Sequence, residues 1–158
     1  MVATKTPAPA ARKNHRRAGS GDQQGTIMEF AFPWPVTQGE WLAWVSAAVT
    51  VILGVVLLFA PGISFRMFRL APKPERAEAY AAARANMAGF YLGLGLSALL
   101  LAQPMLYMAL GFSWLFTAFG RIVSMMSDRG TGLANWLWLA FDLVLAALAL
   151  AFALGFVA

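Results

Sequence analysis

Four apolar stretches of about twenty residues, separated by connections with Pro, Gly or Ser turns, leave this chain few ways to fold. About twenty consecutive apolar residues is the length an α-helix needs to cross ~30 Å of hydrocarbon. A membrane barrel would instead show ~10-residue segments of alternating polarity, and no such alternation is present. Only 12% of the 158 residues are charged, against ~25% in an average soluble domain. The chain therefore reads as an all-α membrane protein, a four-helix transmembrane bundle with a disordered basic N-terminal tail.

The expected spans are Trp41–Ala60, Arg84–Ala102, Met105–Met126 and Leu133–Val157. Trp41 and Trp44 mark the entry of the first, and Trp136 and Trp138 that of the fourth, because indole rings favour the membrane–water interface. Pro61-Gly62 stops the first span. Pro74 starts the second helix, with Glu75 and Glu78 at the positive end of its dipole. That helix is longer than the hydrocarbon core, so its first turns project out of it. Residues 63–73, with Arg66 and Arg69 among Ile, Phe and Met, suit the interface, where arginine stems lie in the apolar boundary. Residues 28–40 are aromatic and Pro-rich and are grouped with the tail, which gives a 1–40 segment ahead of a 41–158 transmembrane domain.

Residues 1–27 hold five of the basic side chains against Asp22 and almost no apolar bulk. Such a segment does not bury enough surface to offset chain entropy. Three readings stay open: a solvated tail that touches anionic headgroups or nucleic acid, a start at Met28 instead, or a cleaved targeting peptide; the first of these favours headgroups. No nucleic-acid partner is expected.

Small residues recur at helical spacing. Ser46, Thr50 and Gly54 form one stripe, and Gly89, Gly93 and Ser97 another, with Gly95 beside it. Gly120 sits next to the Ser113–Thr117–Arg121–Ser124 face. Such stripes let helix backbones approach closely in lipid, so Gly89, Gly93, Ser97 and Gly120 are read as packing residues.

Ionic groups at bilayer depth cost on the order of 2.5–3.5 kcal/mol and are rarely left unpaired. Asp142 lies near the centre of the fourth span, with Asn135 on the same face. Arg121 lies in the third, and Arg84 opens the second. Helical rise puts Arg121 ~7 Å and Asp142 ~13 Å below the connection that joins their helices, a gap an extended arginine spans. Arg84, Arg121 and Asp142 are thus expected to converge. The structural reading is a staple that fixes helix order; the functional one is a site for a carboxylate, phosphate or lipid headgroup.

The chain has no Cys, and its one His, His15, is in the tail. Thiolate metal sites, thiol catalysis and an intramembrane His-based triad are excluded. No cofactor and no enzymatic activity are expected, and a proton relay through Asp142 lacks a second acid or His. The connections 61–83 and 127–132 carry the Lys and Arg close to the spans, which predicts that they face the cytoplasm and the termini the outside of an inner membrane. The expected partners are the bilayer, other membrane proteins and further copies of the chain.

Two segments, Arg84-Ala-Asn-Met-Ala-Gly89-Phe-Tyr-Leu-Gly93-Leu-Gly95 and Gly120-Arg121-Ile-Val-Ser-Met-Met-Ser-Asp128-Arg-Gly130, resemble the domain of unknown function 4345 family of small bacterial membrane proteins. The resemblance extends over about Trp41 to Ala158. It implies four helices, the arginines and a carboxylate in the last helix, and it supplies no activity. Ala88 stands where that family usually has a first Gly. Asp142 stands where Glu is common, which shortens the reach toward Arg121 by one methylene.

Overall fold

The computed structural model describes residues 32–69, 77–128 and 131–157. Expectations for the basic tail and for a helix start at Pro74 lie outside them. The described residues form helices and connections with no strand: α1 (Gln38–Phe59), α2 (Pro61–Met67), α3 (Ala77–Ala82), a π-helical segment (Ala83–Ala88), α4 (Gly89–Leu101), α5 (Pro104–Ser127) and α6 (Leu133–Ala153). Residues on both sides of the π segment keep helical dihedrals, so α3, the π segment and α4 run on as one rod. Four helices are long and apolar enough to cross a membrane: Gln38–Phe59, Tyr80–Leu101, Pro104–Ser127 and Leu133–Ala153. This is an all-α, multi-pass membrane protein.

Local chemistry sets the ends. Helix α1 starts at Gln38, three residues before the expected Trp41, because Thr37 and Glu40 form a capping box. The Thr37 hydroxyl accepts from Glu40 N–H, and the Glu40 carboxylate accepts from Thr37 N–H. Two of the N–H groups that a helix start leaves orphaned are thereby satisfied. Pro61 ends α1 and also serves as first residue of α2, since its fixed φ and missing N–H suit that position. The interfacial segment after α1 is therefore helical up to Met67. Helix α6 stops at Ala153, four residues before the expected Val157. Gly155 takes a left-handed φ of 75°, and the N–H groups of Gly155 and Phe156 donate back to the carbonyls of Phe152 and Ala151. These bonds satisfy carbonyls at the helix C-terminus, the Schellman arrangement.

Contacts fix the directions. Gly54 meets Leu92 while Gly95 meets Val51, so α4 runs antiparallel to α1. Gly111 meets Leu150 and Arg121 meets Asp142, so α6 runs antiparallel to α5. Ser46 donates to the Leu145 carbonyl and ties α1 to α6. The core is built from Ala43, Ala47, Ala98, Leu110, Leu145 and Ala149 with Tyr107 and Trp114. Alanine-rich faces bring these backbones close, which suits packing in lipid.

The glycines at close approaches are only partly those expected: Gly54 belongs to the expected stripe, whereas Gly95 stood beside one and Gly111 in none. A Cβ built on Gly95 would lie 2.7 Å from Val51, one on Gly54 2.8 Å from Leu92, and one on Gly111 2.6 Å from Leu150. At Gly89, Gly93 and Gly120 a Cβ would meet nothing within 4 Å. These three face outward, and Ser97 is half-buried. Within the chain, Gly95 rather than Gly89 or Gly93 is the residue that lets α4 approach α1.

Candidate functional site

The intramembrane polar groups divide into a closed cluster and an open groove. The cluster joins α5 to α6. Arg121 Nε donates to Asp142 Oδ2 at 2.8 Å, and an Nη donates to Asn135 Oδ1 at 3.1 Å. The Asp142 side chain is 2% exposed and that of Arg121 19%. The guanidinium also lies 5.9 Å from the Trp138 ring centre, within the ~6 Å at which a cation is drawn to an aromatic face. Trp138 in turn donates to the Met67 carbonyl and packs on Phe68. The end of α2 is thus fastened over the same cluster. One methylene fewer than Glu does not prevent contact: the Arg121 side chain reaches the shorter carboxylate at hydrogen-bond distance.

The third expected member is elsewhere. Arg84 is exposed on the π segment and makes no hydrogen bond or ion pair with a described residue. The convergence of three charges is therefore corrected to a pair completed by Asn135. Depth alone carried the expectation for Arg84, and depth does not fix which way a side chain faces; in the π segment Ala83–Ala88, with i→i+5 bonds in place of i→i+4, Arg84 faces outward.

A second buried polar tie was only half legible. Trp114 Nε1 donates to Thr50 Oγ1 at 2.9 Å, and Thr50 donates to the Ser46 carbonyl at 2.8 Å. With the Ser46–Leu145 bond this forms a relay from α5 through α1 to α6. The Ser46/Thr50 spacing was visible in the sequence, but Trp114 as a donor toward it was not.

Two cavities flank these ties. One of about 420 Å³ sits beside the ion pair, lined by Phe68, Arg69, Arg121, Ser124, Asn135 and Trp138. The Arg69 side chain has no partner among the described residues, whereas the Ser124 hydroxyl donates to Asp128. The other, about 350 Å³, lies between α4 and α5 with Phe90, Tyr91, Leu94, Ser113 and Trp114 in its walls and Asn86 in the π segment. Among the described residues no three His, Cys, Asp or Glu side chains come together to hold a metal ion.

Four membrane-length helices with an Arg–acid tie between the last two define the class: a small multi-pass helical membrane protein. Residues 39–153 match the family model described as domain of unknown function (DUF4345), and the chain belongs to that family. No curated protein and no solved structure matches it.

Proposed function

We propose that this protein acts without catalysis in an inner membrane, as a small accessory or scaffolding protein, with residues 61–83 and 127–132 cytoplasmic and both termini outside. The observation that supports this reading is the state of its deep carboxylate. Asp142 is closed off from its surroundings and tied to Arg121, which also holds Asn135. A pair so enclosed serves to fix helix order and rotation; removing one partner of a buried pair costs ~3–5 kcal/mol in soluble proteins. The chain offers no Cys and no intramembrane His to take over acid–base or nucleophilic work. Partners would be other membrane proteins or further copies, approached over the lipid-facing helix surfaces.

The test is Asp142→Asn in purified protein, followed by thermal unfolding and by native mass spectrometry from mild detergent. A lower melting temperature with unchanged co-purifying lipid is expected. Unchanged stability together with lost lipid would overturn the structural reading.

One observation favours a second reading, a binder of an anionic headgroup. The cavity beside the pair carries the Arg69 guanidinium, which has no partner among the described residues, and the accessible part of Arg121. Guanidinium forks match phosphate and carboxylate geometry. Retention of an anionic lipid that Arg69→Gln abolishes would favour it; retention unaltered by that substitution would remove it.

A further inference from the structure

The groove between α4 and α5 has a composition that plain lipid does not satisfy. The four long helices do not close equally. Gly54 and Gly95 draw α4 onto α1, and Gly111 draws α5 onto α6. Among the described residues no glycine faces the α4–α5 side in this way, and there the helices stand apart around a cavity of about 350 Å³. That volume is at the lower end of the ~300–1,000 Å³ typical of ligand pockets.

Its floor is aromatic. Tyr91 and Trp114 stack with ring centres 5.5 Å apart and planes 34° from parallel, and Phe90 stands exposed at the mouth. Leu94 and Leu110 continue the wall toward the far end of the helices. Charged side chains are absent from the lining.

Two polar groups of this apolar slot, on the exposed Asn86 and the half-buried Tyr91, have no hydrogen-bond partner among the described residues. The Asn86 amide and the Tyr91 hydroxyl make no hydrogen bond with any described residue. Asn86 lies at most ~9 Å and Tyr91 at most ~16 Å along the helix from Tyr80, where that span begins, the α-helical rise being an upper bound across the π segment. With a hydrocarbon core of ~30 Å, Tyr91 is near mid-depth. Water is scarce there and unsatisfied polar groups are costly. The hydroxyls of Ser113 and Thr117 already donate to backbone carbonyls, and Trp114 N–H to Thr50. Among the described residues, the donors of the groove without a partner are therefore Asn86 and Tyr91.

A phospholipid cannot meet them both. Its ester carbonyls stay in the interfacial layer, and its acyl chains carry no acceptor at mid-depth. The complementary occupant is uncharged, planar enough to lie against Phe90, Tyr91 and Trp114, supplied with carbonyl oxygens that accept from Asn86 and Tyr91, and attached to a long apolar tail. The geometry points to the α4–α5 groove as a binding site for an isoprenoid quinone, with the ring between Asn86 and Tyr91 and the tail along Leu94 and Leu110.

The experiment uses the full chain in lipid nanodiscs, titrated with a short-tail isoprenoid benzoquinone while tryptophan fluorescence is followed. Saturable quenching is expected, with Trp114→Phe removing most of it. Tyr91→Phe and Asn86→Leu each remove one donor and should weaken binding about fivefold, the factor that corresponds to one ordinary hydrogen bond. Ser113→Phe fills the groove from an exposed position and should abolish binding. Melting temperatures of these variants near that of the parent protein establish that each one folds. Quenching that never saturates, or that is equal in all variants, would overturn the proposal. So would native mass spectrometry that finds a phospholipid displaced from the parent protein by Ser113→Phe. Tyr91 lies within electrostatic reach of Asp142 and Arg121, so the ion pair is read by unfolding of Asp142→Asn and the groove by quenching in variants that keep Asp142; loss of either reading then leaves the other standing.

Discussion

On one side of α5, Gly111 takes in the Leu150 side chain and Arg121 reaches Asp142. On the other side, toward α4, Tyr91 and Trp114 stack beside a groove that stays open. Both sides are predominantly apolar, so hydrophobicity does not explain why one seals and the other does not. Lipid tails are as apolar as leucine and give helices no hydrophobic reason to associate. What closes the α5–α6 seam is a small residue opposite a large one, together with a charge-assisted tie. The α4–α5 side has neither, and its polar groups point into the gap.

Substitutions along the two sides should therefore differ in size. The largest effect is expected from Arg121→Leu, which strands the buried Asp142 carboxylate and removes the donor to Asn135. A loss of ~3–5 kcal/mol, read by reversible unfolding in mixed micelles, is the expected result. Next is Gly111→Leu. Its first side-chain carbon alone would lie 2.6 Å from Leu150 and 3.3 Å from the Ala146 carbonyl, so the seam must open, at ~1–3 kcal/mol. Thr50→Val should cost about 1 kcal/mol by removing the acceptor of Trp114, visible in the same unfolding assay and as a shifted indole N–H resonance. Gly93→Leu should be the smallest, within about 0.5 kcal/mol for the single chain, because its Cβ meets nothing within 4 Å. A Gly93 effect as large as that of Gly111 would dissolve the contrast between the two sides.

Length and hydropathy made the four spans legible, and helical rise made the Arg121–Asp142 encounter legible, because both follow from distances fixed by the backbone. The Ser46/Thr50/Gly54 stripe was likewise readable and is buried. Which of the other faces turns inward was not. In a soluble helix the polar side announces the outside, but here Gly89, Gly93 and Gly95 belong to a helix that is apolar all round. Only the partner surface, Val51 and Ala47 on α1, selects Gly95. Arg84 was misplaced because entry from the same membrane face fixes its depth and not the side of the helix it takes; that side is set within a π-helical segment, and nothing in Ala83–Ala88 announces the wider turn. The capping box at Thr37 and Glu40 was present as Thr-x-x-Glu, but it stands within an aromatic, Pro-rich stretch that reads as interface.

The central claim is that Arg121 and Asp142 satisfy each other inside the membrane. A double-mutant cycle with Arg121→Gln, Asp142→Asn and the combined variant, measured by reversible unfolding in one micelle system, tests it most directly. The account predicts that the double variant is more stable than the two single losses add up to, by about 1 kcal/mol or more, as groups in contact show. Losses that sum to within about 0.5 kcal/mol, the behaviour of independent sites, would contradict it.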